Sequence, residues 1–213
     1  MNNKVLASGI FALLFIQLIL LVKLVDVAAV GAAGTSIGLS HLNNAFHSFT
    51  GVNMSIYELT DLLGKFALLV AAAVAVFGLI QLIKRRSLLK VDREILTTGG
   101  LYVVVLALYA LFKVVIVNYR PIIMPGESMP EASFPSSHTM LIFVIMGSVC
   151  ILLGRYLKKK GLKTLLRILC WVIVAVTVIG RLICGVHWLT DIIGGVLISL
   201  ALLFLYSGVL NKR

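Results

Sequence analysis

Long apolar runs without charge alternate with short polar connections along the chain. Four runs contain no charged residue, at positions 5–22, 66–83, 95–112 and 192–211. Two shorter runs, at 139–154 and 168–180, lengthen if Arg155 and Arg167 extend their side chains toward the membrane surface. Because a bilayer core takes about 20 mostly apolar residues per helix, the pattern predicts an all-α, polytopic membrane protein with six transmembrane helices.

The composition supports this interpretation. Hydrophobic residues make up 61% of the chain and charged residues 13%, against about 45–50% and about 25% in soluble domains. No soluble domain, repeat or low-complexity segment interrupts the pattern, so residues 1–213 are interpreted as one membrane domain. The first apolar run is longer than the roughly 7–15 residues of a secretory signal, so we expect an uncleaved first span.

The net charge of +11 would suit a nucleic-acid-binding protein, but the positions of the cations argue against that class. Most of them lie on one predicted side of the membrane: Lys4, Lys84, Arg85, Arg86, Lys90, Arg93, Arg155, Lys158, Lys159, Lys160, Lys163, Arg167, Lys212 and Arg213. The positive-inside rule makes that side, with both termini, cytoplasmic. The expected partners are therefore membrane lipids in a cell membrane, not nucleic acid.

Two outer connections have recognisable patterns. Within residues 23–65, four apolar residues recur at helical spacing and predict a short helix on the membrane surface: Leu42, Ala45, Phe46 and Phe49. We expect His41 and His47 on the wet face of that helix. The second connection, residues 118–137, contains all four prolines of the chain and predicts an irregular loop.

The remaining polar residues of the outer side converge at one membrane depth. Three separate connections supply Lys113, Arg120, Ser136, Ser137, His138, Arg181, His187 and Asp191. Scattered polar residues would not converge in this way by default. We therefore interpret them as a candidate active site on the extracytoplasmic side.

Lys113, Arg120 and Arg181 have no matching acids in this set and suit a multiply charged anion. Arginine offers paired donors to phosphoryl oxygens, and lysine adds a point charge. Ser136 and Ser137 precede the predicted fourth membrane helix, where free N–H groups and the helix dipole also favour an anion. The pattern predicts a phosphate site close to the lipid headgroups.

Two histidines supply the reactive groups. His187 and Asp191 are four residues apart, so the carboxylate can hold the proton on one ring nitrogen and leave the other free to attack. His138 brings a second imidazole, so that one histidine can act as nucleophile and the other as general acid. No second carboxylate or cysteine cluster suggests a metal, and we expect no cofactor, with the cations neutralising the transition state.

These residues fall into three motifs with fixed spacing. They read Lys113-x6-Arg120-Pro121, Pro135-Ser136-Ser137-His138 and Gly180-Arg181-x5-His187-x3-Asp191. In order and spacing they resemble the three-part signature of the type 2 phosphatidic acid phosphatase family. Soluble vanadate-dependent haloperoxidases share the signature, but the six predicted spans fit them poorly.

The resemblance implies a metal-independent phosphatase that acts on lipid phosphates through a phosphohistidine intermediate. Matched by position, His187 would be the nucleophile and Asp191 its orienting partner. His138 would protonate the leaving group and later activate water. The phosphoryl oxygens would be held by Lys113, Arg120, Arg181, Ser136 and Ser137.

The candidate substrates are undecaprenyl diphosphate, phosphatidylglycerophosphate, phosphatidic acid and diacylglycerol diphosphate, with the first narrowly preferred. The rival hypothesis is a non-catalytic lipid-phosphate binder or transporter that uses the same residues; the sequence leaves the oligomeric state open. Two residues depart from the family pattern: Ser137 stands where glycine is usual, and Gly180 stands where serine is usual.

Overall fold

The protein is a bundle of helices, described here from a computed structural model that covers residues 3–211. Lys212 and Arg213, two of the cations assigned to the cytoplasmic side, lie outside the described residues. The helices are α1 (Asn3–Leu24), α2 (Ser40–Thr50), α3 (Met54–Arg85), α4 (Arg93–Val114), α5 (Ser137–Tyr156), α6 (Lys160–Ile183) and α7 (Leu189–Asn211), with short 3-10 turns at Ala32–Gly34 and Leu88–Lys90. Every helix but α2 is long and apolar enough to cross a membrane, which confirms the six predicted spans.

Helix α5 lies at the centre of the bundle. It contacts α3, α4, α6 and α7, and its buried side chains Met140, Val144 and Met146 are at most 1% exposed. Helix α1 packs on α7 from the outside. The outer helices have predominantly apolar surfaces that face lipid. In a bilayer such surfaces contact lipid tails, so they do not carry the free-energy cost of exposing apolar side chains to water.

Small residues allow the central helices to approach closely. A side chain on Gly194 would come within 2.6 Å of the Phe134 ring, and one on Gly195 within 2.9 Å of Thr139. The sequence predicts Gly194 and Gly195 as a packing site between helices, and the structure confirms it. This contact matters for the site, because it holds the start of α7 against the start of α5.

Helix α3 begins earlier than the hydrophobic pattern predicts. The uncharged run starts at position 66, whereas the helix starts at Met54, with the Asn53 side chain accepting a hydrogen bond from the Ile56 N–H at 3.1 Å. The prediction of a connection reaching to residue 65 is therefore wrong. The additional turns carry Asp61 and Lys65, whose charges interrupt the apolar pattern without interrupting the helix.

The predicted short helix is present as α2, but one of its histidines is not on the wet face. The His41 side chain is 93% exposed, whereas the His47 ring lies 5.5 Å from the Trp188 ring, and its Nε2 is 3.0 Å from the Gly185 carbonyl oxygen. Asn43 is fully buried, and its Oδ1 accepts from the Thr190 N–H at 3.2 Å. Helix α2 thus packs its polar face on the segment that leads into α7.

The two ends of the bundle differ in charge. One end, here called the basic end, carries the cations assigned above to the cytoplasm, and acids meet some of them there. Arg85 donates to Asp92 at 2.6 Å and Arg155 to Glu94 at 3.0 Å. The opposite end, called the site end, carries α2 and residues 118–137. All three sequence motifs lie at the site end.

Candidate active site

Residues 118–137 form a loop in which backbone hydrogen bonds join two separate segments. The Arg120 N–H donates to the Glu131 carbonyl at 2.9 Å, and the Ser133 N–H donates to the Asn118 carbonyl at 3.0 Å. This short antiparallel pairing between residues 118–120 and 131–133 brings two distant parts of the loop together. The predicted irregular loop is therefore ordered where it borders the site.

A cavity of about 340 Å³ opens beside this loop. Its polar lining includes Lys113, Arg120, Ser137, His138 and His187, so five of the eight predicted site residues border one cavity. Its apolar wall is made by Leu108, Tyr109, Phe112 and Met140 from α4 and α5. The convergence predicted from three separate motifs is thus present in the fold.

His187 is buried, and its shorter hydrogen bonds are on the Nδ1 side of the ring. Its side chain is 2% exposed. Its Nδ1 lies 3.0 Å from Ser133 Oγ and 3.4 Å from Asp191 Oδ2. Because the Ser133 hydroxyl donates to Asp191 Oδ2 in a short hydrogen bond, its oxygen is left to accept from Nδ1–H. We therefore assign the proton to Nδ1 and the free electron pair to Nε2.

Asp191 is held rigidly enough to fix that tautomer. Its Oδ1 accepts from Asn118 Nδ2 at 2.9 Å, and its Oδ2 accepts from the Trp188 N–H at 2.9 Å. The side chain is fully buried. Several donors hold a buried carboxylate in one orientation, so Asp191 has the geometry of an orienting group.

Burial lowers the pKa of His187 to about 4, and the nearby Arg120 and Arg181 guanidinium groups act in the same direction. The Asp191 carboxylate opposes them but does not reverse the shift. The folded protein thus keeps His187 neutral near pH 7. A neutral imidazole with a free Nε2 is the form that can attack phosphorus.

His138 has a carboxylate partner that the sequence did not suggest. Its Nε2 lies 3.0 Å from Asp61 Oδ1 of α3, and Asp61 Oδ2 lies 3.0 Å from Lys65 Nζ. The other ring nitrogen, Nδ1, is buried and makes no hydrogen bond among the described residues. Nδ1 is therefore the nitrogen available to a bound molecule.

Arg120 also has an acid, contrary to the prediction that the three site cations lack one. Its Nε donates to Glu131 Oε2 at 3.1 Å, and its Nη1 lies 3.5 Å from His187 Nε2. The backbone pairing within the loop brings Glu131 next to Arg120, a contact that no spacing in the sequence reveals. Arg120 is thus positioned beside the free nitrogen of His187 while one edge of its guanidinium is neutralised.

Arg181 is a fully buried cation without a hydrogen-bond partner. Its side chain is 0% exposed, and its three guanidinium nitrogens meet no acceptor among residues 3–211. The guanidinium stacks over the Tyr57 ring at 4.5 Å. Leaving such a group unpaired is costly, so an anion is the missing partner that its position favours. Lys113, by contrast, is exposed, with Nζ 4.8 Å from the Tyr109 ring centre.

The two serines before His138 differ in position. The Ser136 N–H donates to the Asp191 carbonyl at 3.0 Å, and its hydroxyl accepts from Thr139 at 3.1 Å. Ser136 is fully buried and joins the start of α5 to α7; its contact with phosphate stays a prediction. Ser137 begins α5 and borders the cavity. Its φ is not positive, so this position does not require the glycine usual in the family.

Gly180, the second residue that departs from the family pattern, is explained by helix packing. A side chain there would come within 2.5 Å of Thr60 Cγ2 on α3. Thr60 is itself fully buried, with its hydroxyl donating to the Tyr57 carbonyl at 2.8 Å. Gly180 therefore lets α6 and α3 touch next to Arg181, where a serine would collide with Thr60.

Four residues of the site were missed by sequence reasoning: Asp61, Asn118, Glu131 and Ser133. Asn118 lies within the first motif and Ser133 two residues before the second, and their polarity next to motif residues was the available signal. Asp61 lies 77 residues before His138 and had no such signal. Across residues 3–211, histidine, cysteine, aspartate and glutamate form no group of three or more placed to hold a metal ion.

Fold and site define a multi-pass membrane protein with a cationic, two-histidine cavity at one end. The PAP2 superfamily matches residues 95–213, and the chain belongs to that superfamily. No curated protein sequence matches it. Among solved structures, the fold is similar to that of a transmembrane PAP2-type phosphatidylglycerolphosphate phosphatase from Bacillus subtilis. That match has a TM-score of 0.69 at 20% identity and covers 97% of this chain and 96% of the other. Family and fold together support a membrane lipid phosphatase.

Proposed function

We propose that the protein hydrolyses phosphate or diphosphate esters of lipids at the outer face of a cell membrane, through a phosphohistidine on His187. The observation that carries the proposal is the buried His187, with Nδ1 tied to Ser133 and Asp191 and Nε2 left free beside Arg120. The fold gives His187 no structural need for such a network. The positive-inside rule places the site end on the outer side.

In the first step, Nε2 of His187 attacks the terminal phosphorus and the N–P bond forms. The bond from this phosphorus to the leaving oxygen breaks; that oxygen belongs to the lipid alcohol in a monophosphate ester and to the remaining lipid phosphate in a diphosphate. His138 gives a proton from Nδ1 to the departing oxygen. Arg120, Arg181 and Lys113 compensate the charge on the phosphoryl oxygens, together with the N–H groups at the start of α5 near Ser137. In the second step, His138 takes a proton from water, which attacks phosphorus and releases inorganic phosphate from His187.

An apolar groove next to the cavity suits the lipid tail. It has a volume of about 230 Å³ and is lined by Leu68, Ala71, Ala72, Ala75, Tyr102, Val105, Leu106, Leu141 and Ile145 from α3, α4 and α5. On α4 the groove residues lie one turn deeper in the membrane than Leu108 and Tyr109 of the cavity. A lipid can thus place its phosphate in the cavity and its chain between α3 and α4.

Undecaprenyl diphosphate is the preferred substrate, followed by phosphatidylglycerophosphate, phosphatidic acid and diacylglycerol diphosphate. All four present a phosphate on a long apolar tail, which the cavity and groove accommodate together. The similarity of the fold to a phosphatidylglycerolphosphate phosphatase favours including phosphatidylglycerophosphate. We propose that no metal is needed, because the arginines and Lys113 supply the positive charge.

The test is phosphate release by purified protein in detergent, with a chelator present, across these four lipids. We expect release from at least one lipid and a loss of at least ~10³-fold for His187→Ala, because the nucleophile is removed. His41→Ala is the matched control, since His41 is an exposed histidine of the same membrane side. No release from any lipid overturns the proposal, and full lipid-phosphate binding with no turnover favours the binder.

A further inference from the structure

Helix α3 contributes a residue to the chemistry although it lies before the part of the chain that matches the superfamily. We propose that Asp61 is a positioning residue for the general acid: it holds His138 by Nε2, so that Nδ1 delivers the proton to the leaving oxygen and later takes one from water. The inference rests on the proposed function and deepens it, since it assigns how His138 is held.

The first observation is the contact itself. His138 Nε2 and Asp61 Oδ1 lie 3.0 Å apart, in the range of a good hydrogen bond. A carboxylate accepts only, so the proton of this bond lies on Nε2. The ring nitrogen that remains, Nδ1, is buried without a partner. The pairing therefore leaves a single nitrogen of His138 for substrate.

The second observation is that Asp61 is itself held. Lys65, one turn further along α3, binds Asp61 Oδ2 at 3.0 Å, so one oxygen is directed to the lysine and the other to the histidine. The Asp61 side chain is 30% exposed. Without Lys65, the partly exposed Asp61 side chain could adopt several rotamers. The ion pair with Lys65 favours the rotamer that contacts His138.

The third observation is the close contact between α3 and His138 at Gly64. A side chain at Gly64 would come within 2.9 Å of His138 Cδ2. Four residues earlier on α3, Thr60 fills the space that Gly180 leaves open on α6. Two glycines thus let α3 contact both α5 and α6 at the depth of the cavity, which fixes Asp61 relative to His138.

The surroundings explain why His138 needs a carboxylate. Arg181 and Arg120 both act on His138 electrostatically, and two positive groups oppose the imidazolium that a general acid must be. Asp61 is the acid that faces this ring, and it offsets them through a direct hydrogen bond. Without Asp61 the proposed proton donor would sit in a wholly positive environment.

The test compares leaving groups in the first turnover. The alkoxide that leaves an alkyl lipid phosphate is strongly basic and needs a proton to depart. The p-nitrophenolate that leaves p-nitrophenyl phosphate is weakly basic and departs without one. For Asp61→Asn we expect a ~10²-fold slower first turnover of the alkyl lipid phosphate, with the burst of p-nitrophenol within about 3-fold of the wild type because that step needs no acid. Asp61→Glu should recover most of the loss, because it restores a carboxylate.

Glu58→Gln is the matched control, because it removes the same charge one turn earlier on α3, from an exposed residue outside the cavity. It should leave both first turnovers unchanged. Equal loss by Asp61→Asn on both substrates would mean a structural role and overturn the inference, as would no loss on either. A wild-type protein that releases phosphate from no substrate overturns the proposed function itself, a result distinguishable from either of these.

Discussion

The cavity contains two histidine–carboxylate pairs that are built in opposite ways. His187 and Asp191 are four residues apart at the start of α7, and both are almost fully buried. His138 and Asp61 come from two helices 77 residues apart, and their side chains are 24% and 30% exposed. The first pair is a local unit inside the protein. The second is assembled by packing, and its histidine borders the cavity.

The difference corresponds to the two tasks proposed. A nucleophile has to remain neutral with its electron pair aimed at phosphorus, and burial with a fixed Asp191 gives that state. A group that exchanges protons with a leaving oxygen and then with water needs access to both, and the position of His138 on the cavity suits that task. The exposed pair should therefore be the more tolerant of substitution, and the buried pair the less.

The largest effect is expected at Asp191. Asp191→Asn keeps the shape but offers Nδ1 of His187 the wrong partner, so the Nε2 electron pair is lost and kcat should fall ~10³- to 10⁴-fold. Phosphate release is measured with both alkyl and aryl phosphates. The loss should be equal for the two, unlike that of Asp61→Asn. A loss confined to alkyl phosphates would show that the two pairs do not divide the work in this way.

Arg181 should show a large loss of activity without a loss of stability. Arg181→Met removes a guanidinium proposed to compensate the phosphoryl charge, so kcat/KM should fall ~10²- to 10³-fold. Because the arginine is buried and unpaired, its removal also relieves a desolvation cost, and the Tm in detergent should stay the same or rise.

Arg167→Met is the matched control for Arg181, because it removes an arginine from the basic end of the same helix. It should leave kcat/KM unchanged. A clear drop in Tm for Arg181→Met, together with the activity, would show that Arg181 is a structural residue.

A smaller effect is expected at Ser133, which bridges the buried pair. Ser133→Ala leaves Asp191 in place at 3.4 Å from Nδ1 but removes both hydrogen bonds of the bridging hydroxyl, to His187 and to Asp191, so kcat should fall about 10-fold. Thr139→Val is a suitable control, since its hydroxyl bonds only the structural Ser136. A loss as large as that of Asp191→Asn would mean that Ser133, not Asp191, orients His187.

The pH dependence of stability tests the buried, neutral state of His187. The pKa of His187 is lowered to about 4 in the folded protein, whereas an unfolded histidine titrates near ~6.5. The unfolded state therefore binds more protons between these values, and the free energy of unfolding should fall as the pH falls through that window, by up to about 3 kcal/mol. His187→Gln should lose this part of the pH dependence, measured as Tm against pH. An identical slope in both proteins contradicts a buried neutral His187.

These comparisons also show what the sequence could reveal. The six spans and the His187–Asp191 pair follow from periodicity and local spacing, which depend only on neighbours along the chain. Asp61 could not be predicted in this way. The charges of Asp61 and Lys65 made the apolar run appear to start at position 66, and the partner of Asp61, His138, is reached only through the packing of α3 on α5.

The same limit explains what sequence reasoning missed at two other residues. The place of Ser136 before a helix did not reveal that its N–H donates to the Asp191 carbonyl. His47 was expected on the wet face, but Trp188 and Gly185 cover it. In each case the group's hydrogen-bonding partner lies on a distant segment, and only the folded chain brings the two together.

The most direct measurement is the detection of the phosphorylated enzyme. In His138→Ala, p-nitrophenyl phosphate should still phosphorylate His187, because this leaving group needs no acid, but water should no longer be activated to remove the phosphate. Rapid quenching at alkaline pH followed by mass spectrometry should find one phosphoryl group per chain, acid-labile and on the His187 imidazole. A burst of p-nitrophenol without an adduct, or an adduct on another residue, would contradict the proposed role of His187.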